Sequence, residues 1–457
     1  MTFFPDAPRL PFMRRAGLIV APCLLLAGCT THLARLEPVR TAYFGGDIAA
    51  AERLVDEAID SHASDADVLT LDKGLLALAD GRPDEARRLL VTVRDRFDHL
   101  EQESPAEDAW SMLTDDRQRA YAGEDHERVL VRALTAVADL AAGGDDAEAL
   151  ALQAAEKQGE IVAAAVAEDG TNPKSGYRPV ALAPYLRGIL REATHRDYDD
   201  AARHYATVAS WEPGYAPARD DVVRAGGGVH SAPGHGVVHL VALVGHGPCK
   251  VVVEEVPSSA ALLVADQILS ATLAQSLPPT IAPIRVPRVV AAPGRARAVA
   301  VGRAADGAWV TAGRTATITD VSRMALEQDA AVHDLAVGRA VARRALKKAT
   351  VFGVKEGIGL DRFGPAALLF DVAGVAWEAA ENADTRCWGL LPDSVQVLRL
   401  ELPVGDHTLA LCAVDEAGRA VGSSVARSVS VEDGRNSYLV VTAVDAGIIG
   451  GAAAVDR

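Results

Sequence analysis

The sequence predicts an α+β chain of several domains, in which a helical repeat region precedes a mixed α/β region and a small antiparallel β-sandwich. Three observations support this fold class. Apolar residues recur every three or four positions up to about Ala225, which is typical of amphipathic helices. A glycine-rich stretch at 225–236 then interrupts the pattern, as linkers do. Beyond it, short runs of β-branched residues indicate strands.

The predicted domain boundaries follow these changes in pattern. An export signal is expected at 1–28, a helical domain at 29–225, a linker at 226–236, a mixed α/β domain at 237–383, and the sandwich at 384–457.

The export signal is read from the first 29 residues. Arg14 and Arg15 precede an apolar run that ends in Leu-Ala-Gly-Cys29. The run is too short to cross a bilayer as a stable helix, and its order of charge, apolar core and small residues is that of a secretory signal. The Leu-Ala-Gly-Cys sequence resembles the lipobox of bacterial lipoproteins, which implies cleavage before Cys29 and lipidation of its thiol. A secreted protein with an incidental Cys29 is the alternative.

The residues after Cys29 bear on its destination. Thr30, Thr31 and His32 follow, and none is aspartate. In lipoproteins of diderm bacteria an aspartate at this place is the usual signal for retention at the inner membrane. The resemblance therefore implies an anchor in the outer membrane, with the chain facing the periplasm or, as the alternative, the cell surface. The resemblance also implies several acyl chains on Cys29, palmitate among them. One acyl chain alone would bind a membrane only marginally.

The helical region contains an internal repeat of helix pairs. In one unit Gly74 and Ala86 stand twelve positions apart, Gly81 opens the turn, and Leu90 follows Ala86 by four. This spacing resembles a tetratricopeptide repeat, in which small residues let two antiparallel helices pack closely. Similar units lie at 42–51, 134–155 and 185–213. A helical bundle without repeats is the alternative, because the spacing between the units is irregular.

A more specific phrase lies between the second and third units. Tyr121, Gly123, Asp125, Glu127 and Arg128 form a Tyr-x-Gly-x-Asp-x-Glu-Arg core. It resembles a family of largely uncharacterised bacterial lipoproteins with tetratricopeptide-like repeats and a β-rich C-terminal region. The resemblance reappears at 384–407 and implies export and lipid anchoring, but no activity.

The second phrase of the resemblance lies at 384–392. Arg386 and Trp388 precede a Leu-Pro pair, and Gly389 stands where family members often carry a second arginine. A tryptophan beside an arginine can anchor a partner. It can equally fill the join between a helix and a sandwich.

Two interpretations also fit the first phrase. Its charged residues can line a groove that contacts a partner, or Asp125 can cap a helix that begins near His126 while the charges remain solvated. The candidate partner-binding residues are thus Tyr121, Asp125, Glu127, Arg128, Arg386 and Trp388.

The second half offers one weak constellation for catalysis. His246 and Cys249 lie in Gly-His-Gly-Pro-Cys-Lys, but no acidic residue near them in sequence orients the histidine. The histidines at 230, 235, 239 and 246 match no compact zinc spacing. We therefore predict no catalytic residue, metal ligand or cofactor. Cys387 and Cys412 either stay isolated thiols or form a disulfide.

Charge restricts the class of partner. The chain has a formal net charge of -16, and residues 30–225 hold 22 basic and 38 acidic residues. Acidic surfaces repel phosphate backbones, so no nucleic-acid partner is expected. We predict a lipid-anchored scaffold of the cell envelope that binds a protein partner through its helical repeats without catalysis. The alternative is an enzyme that modifies envelope polymers, with its site near His246 and Cys249 or at Glu127.

Overall fold

The computed structural model describes residues 31–103, 120–167, 169–273, 283–305, 308–357 and 383–455. The predicted signal with Cys29, and a helix that the sequence predicts at 365–380, lie outside these residues.

Helices occupy the described chain up to Gly226, as the apolar periodicity predicts. They are α1 (His32–Phe44), α2 (Ile48–Ser61), α3 (Ala66–Ala79), α4 (Pro83–Glu103), α5 (Asp125–Ala142), α6 (Ala147–Ala163), α7 (Leu182–Glu192), α8 (Tyr198–Trp211) and α9 (Pro217–Gly226). Successive helices pack against each other, and α5 is buried along almost its whole length.

Glycines permit the close approach of paired helices. A Cβ atom at Gly74 would lie 2.9 Å from Leu90 Cδ2, and one at Gly188 would lie 2.6 Å from the Tyr205 ring. Gly74 and Leu90 have the repeat spacing of sixteen positions, and Gly188 and Tyr205 are one position further apart. The predicted close helix packing is therefore present at these two pairs, while membership of the tetratricopeptide class stays a prediction.

The second half supplies eleven described strands and two further helices. They are β1 (His235–Val244), β2 (Cys249–Glu255), α10 (Ser259–Leu273), β3 (Ile284–Val290), β4 (Ala298–Ala305), β5 (Ala308–Arg314), β6 (Ala316–Asp320), α11 (Val321–Gly357), β7 (Ser394–Pro403), β8 (Gly405–Val414), β9 (Ala420–Val431), β10 (Asn436–Val444) and β11 (Gly447–Val455). No helix among the described residues combines the length and the apolar character that crossing a membrane requires.

Nine of these strands form one mixed sheet in the order β5-β4-β8-β9-β11-β10-β1-β7-β6. The pairs β1–β10 and β9–β11 are parallel, and the others are antiparallel. Only Thr315 separates β5, at one end of this order, from β6 at the other. The Thr315 N–H donates to Val299 O at 2.9 Å, and its hydroxyl donates to Gln396 Oε1 at 2.7 Å. The sheet is therefore nearly closed and barrel-like.

Alternation along β1 separates an interior from an outer face. Val238 and Leu240 belong to the apolar interior of the sheet, whereas Val241 and Leu243 pack in the core shared with the helices. Helices α3 and α5 pack on β11, and α5 also packs on β10. This burial on both faces explains the continuous apolar run of β1.

The predicted fold class is wrong for the second half. The chain does not end in a small antiparallel β-sandwich, because strands β7–β11 share the nine-stranded mixed sheet with β1 and β4–β6. The β-branched runs at 237–244 and 250–256 also predict a strand pair across the short Gly-His-Gly-Pro-Cys connection. This prediction is wrong, since β2 pairs with β3 in a separate two-stranded sheet. Short valine-rich strands do not specify their partners when both faces are buried. The domain boundaries stay predictions.

Candidate functional site

The beginning of α5 positions the first phrase. Helix α5 begins at Asp125, and Glu127, its third residue, accepts a hydrogen bond from the Glu124 backbone N–H at 3.1 Å. Glu124 is therefore the N-cap residue, one position earlier than the sequence indicates. The carboxylate of Asp125 instead accepts from the Tyr177 hydroxyl at 3.0 Å and pairs with Lys174 at 2.7 Å.

Glu127 lies at the centre of a buried group of polar side chains. Glu127 is 0% exposed. One carboxylate oxygen accepts the Trp388 backbone N–H at 2.7 Å, and the other accepts the Tyr121 hydroxyl and the Glu124 N–H. A buried carboxylate with donors at both oxygens is satisfied within the protein.

The second phrase completes this group. Arg386 forms an ion pair with Asp384 at 2.7 Å, and its guanidinium lies over the Tyr121 ring, 5.4 Å from the centroid. Trp388 is 0% exposed. We call Tyr121, Glu127, Arg386 and Trp388 the junction cluster, because it joins the helices to the segment that enters β7.

The six candidate partner-binding residues thus divide into two groups. The four of the junction cluster are buried in the chain. Asp125 and Arg128 lie nearer the surface, and Arg128 pairs with Glu101 at 3.0 Å and with Asp125 at 3.2 Å. In this structure the buried four contact other parts of their own chain.

Asp72 is a buried acid beside the junction cluster that the sequence analysis missed. It is 0% exposed and accepts the Leu390 backbone N–H at 2.8 Å. Burial raises the pKa of Asp72 well above its usual range, although the Leu390 N–H and Arg40 oppose this shift. In the sequence, the signal for a buried acid is that Asp72 stands among the leucines of the apolar stripe of α3.

Burial likewise changes the acidity of Tyr121. Burial and the negative charge of Glu127 raise the pKa of the Tyr121 phenol well above its usual range. Tyr121 therefore keeps its proton at neutral pH and serves as a hydrogen-bond donor.

The predicted His246 and Cys249 constellation is not arranged as a nucleophile and base. The His246 ring stacks on Phe44, with 3.7 Å between centroids, and its Nε2 lies 3.4 Å from Asp445 Oδ2. Burial lowers the pKa of His246. Burial raises the pKa of the Cys249 thiol, which lowers the fraction of reactive thiolate.

The cysteines in the described part of the chain are free thiols. Cys387 is buried, whereas Cys249 and Cys412 are partly exposed. The alternative of a Cys387–Cys412 disulfide therefore does not hold in this structure. Burial raises the pKa of the Cys387 thiol, so this side chain stays protonated beside Glu127.

A second buried polar group joins α7–α9 to the sheet. Glu192 accepts two hydrogen bonds from Arg224, at 2.7 and 2.9 Å, and one from the Tyr205 hydroxyl at 2.5 Å. Nearby, His239 of β1 lies 3.3 Å from the Tyr185 hydroxyl. The sequence does not indicate this group, because its members are separated in the chain and share no motif.

The histidines of the glycine-rich stretch do not converge. His230 Nε2 lies 2.9 Å from Asn436 Oδ1, whereas His239 contacts Tyr185 and His246 contacts Phe44. Within the described ranges, no three His, Cys, Asp or Glu side chains are placed to hold a metal ion.

No family model matches the chain. Neither the curated proteins nor the solved structures contain a match to it. The resemblance to a lipoprotein family therefore stays a prediction.

Proposed function

We propose that this protein is a lipid-anchored binding protein of the bacterial cell envelope, which recognises a protein partner through its helices and catalyses no reaction. The proposal combines the predicted lipidation of Cys29 with the placement of Glu127.

The placement of Glu127 carries the proposal. A general acid or base must reach a proton of the substrate, and Glu127 is 0% exposed with both oxygens bound to donors of its own chain. The same contacts bind the beginning of α5 to the segment before β7. They favour a role in which the helices and the sheet act as one rigid unit.

The helices present their outer face to a partner, because their inner face is occupied. Helices α3 and α5 pack on β10 and β11, so the sheet of the same chain covers this inner face. Residues 30–225 carry the excess of acidic residues, and Asp60 of α2 and Asp199 of α8 are exposed. A partner with a basic surface is complementary to this face.

Site-specific photo-cross-linking in the intact envelope tests the proposal. The cross-linker is placed at Asp60 and at Asp199, and, as a control, at Ser428, an exposed residue of β9. We expect a discrete adduct of one partner from at least one helix position and none from Ser428. The adduct should weaken at raised ionic strength, because exposed charges are screened by salt.

Two outcomes contradict the proposal. Adducts from Ser428 alone would place the partner on the sheet, and the absence of any adduct from both helix positions would remove the helices as a binding surface. If the purified protein changes the covalent structure of an envelope polymer, the protein is an enzyme and the proposal of binding without catalysis is wrong.

A further inference from the structure

A shallow pocket of about 430 Å³, widely open to solvent, lies at one end of the nine-stranded sheet. The loop before β4 and the turn between β8 and β9 form it, and the ends of nearly closed sheets are frequent sites for small ligands. Its lining includes Gly294, Arg295 and Arg297 from the loop, and Asp415, Glu416 and Arg419 from the turn.

Backbone contacts hold the loop in place. The Arg295 N–H donates to Asp445 Oδ1 at 2.6 Å, and the Arg297 N–H donates to Val414 O at 2.7 Å. Gly294 has a φ of 74°, and a Cβ atom there would lie 2.8 Å from both Asp445 Oδ1 and the His246 ring. This close approach requires glycine, and it fixes the backbone from which Arg295 extends.

Two of the three arginines already have acidic partners. Arg419 Nε donates to Asp415 Oδ2 at 2.8 Å, within the turn. Arg297 pairs with Asp393 at 3.3 Å. Each of these pairs has no net formal charge, so Arg297, Arg419 and Asp415 add little net charge to the pocket.

Arg295 and Glu416 are the other two charged residues that line the pocket. Both are exposed, and neither side chain has a hydrogen-bond or ion-pair partner among the residues that the structure describes. Among the described residues, a guanidinium and a carboxylate without side-chain partners thus line the same pocket. A guanidinium binds a carboxylate through two parallel hydrogen bonds, and a carboxylate binds an ammonium group.

We propose that this pocket binds a small zwitterion of the amino-acid type, with its carboxylate on Arg295 and its ammonium group on Glu416. A multiply charged anion such as phosphate is disfavoured, because Glu416 repels it. A free amino acid and the end groups of a short peptide share this chemistry and differ in the distance between their charges. The inference does not depend on a protein partner.

Calorimetric titration of the purified protein tests this inference. The probes are L-alanine and dialanine, with acetate and ethylamine as ligands that carry one charge each. We expect saturable binding of at least one zwitterion and at least ten-fold weaker binding of acetate and ethylamine. Preference for alanine or for dialanine identifies the free amino acid or the peptide as the source.

Variants assign the binding to the pocket. Arg295→Gln and Glu416→Gln should each weaken binding of the preferred zwitterion at least ten-fold. Arg285→Gln and Glu254→Gln, at exposed positions in the separate sheet of β2 and β3, make the same charge changes and should leave the affinity unchanged. Equal binding of acetate, loss of binding in these control variants, or no saturable binding of either zwitterion would overturn the inference.

Discussion

The carboxylate of Glu127 accepts the backbone N–H of Trp388 at 2.7 Å, although the two residues are 261 positions apart. Glu127 belongs to the beginning of α5, and Trp388 belongs to the segment that leads into β7. One hydrogen bond to a charged acceptor therefore ties the helical half of the chain to the sheet.

Replacement of Glu127 should destabilise the protein strongly. Glu127→Ala leaves the Tyr121 hydroxyl and the Trp388 N–H as buried donors without an acceptor, and we expect a loss of about 3 kcal/mol or more in the free energy of unfolding. Glu127→Gln retains one acceptor oxygen and should lose about half as much. Urea unfolding followed by circular dichroism measures both.

Glu156→Ala is the matched control for this prediction. Glu156 is an exposed residue of α6, and its replacement should change the free energy of unfolding by less than about 0.5 kcal/mol. Equal stability of the Glu127→Ala and Glu156→Ala variants would show that the junction cluster does not stabilise the fold.

Gly389 should not tolerate a side chain. A Cβ atom at this position would lie 1.9 Å from Leu36 Cδ2 of α1, so Gly389→Ala forces the buried Leu36 side chain to repack or α1 to move away from the segment before β7. We expect a loss of about 1–3 kcal/mol, the usual cost of overpacking a core. In the control Gly159→Ala, the new Cβ atom in α6 meets nothing within 4 Å. This variant should be neutral or more stable by up to about 1 kcal/mol, and a reversed order of the two melting temperatures would contradict the prediction.

Acidification should destabilise the protein through His239. Burial lowers the pKa of His239 well below its usual range, and the positive charges of Arg399, His230 and Arg224 act in the same direction. The unfolded chain, in which this histidine has a pKa of about 6.5, therefore binds more protons than the folded protein below that pH. The stability contributed by neutral His239 is present above about pH 6.5 and is lost as the pH falls. A single group of this kind contributes a loss of about 2 kcal/mol between pH 6.5 and 5.

The pH dependence is measured as the free energy of unfolding at several values between pH 5 and 7.5. His239→Gln should have a shallower slope than the native protein, while His235→Gln, in the first residue of the same strand, should keep the native slope. Each variant lacks one histidine, so a shallower slope in the His239→Gln variant alone assigns the effect to His239. The same slope in all three proteins would exclude His239 as the source.

Cys29→Ser should abolish membrane attachment. Serine lacks the thiol that the predicted lipidation modifies, so the variant should accumulate as an unprocessed precursor or a soluble protein. The native protein should partition into a detergent phase and sediment with outer-membrane fractions. Cys412→Ser, which alters a free thiol of β8, should behave as the native protein does. Native protein found free in the periplasm would contradict the lipobox interpretation.

Local patterns in the sequence determine much of the secondary structure. The three- and four-residue periodicity predicts the helices before Gly226, and the valine-rich runs predict most strands, because both signals arise within a few consecutive residues. The two phrases at 121–128 and 384–392 also indicate Tyr121, Glu127, Arg386 and Trp388 as candidate residues.

Only the tertiary structure decides how these pieces combine. The order of the nine strands, the closure through Thr315 and the meeting of Glu127 with Trp388 all join residues that are distant in the chain. A strand buried on both faces carries no alternation that identifies its neighbours. An acidic residue at a helix start looks the same in sequence whether it is solvated or buried. The sequence therefore determined the helices, most strands and the candidate residues, whereas long-range packing decided the strand order and turned Glu127 into a buried acceptor.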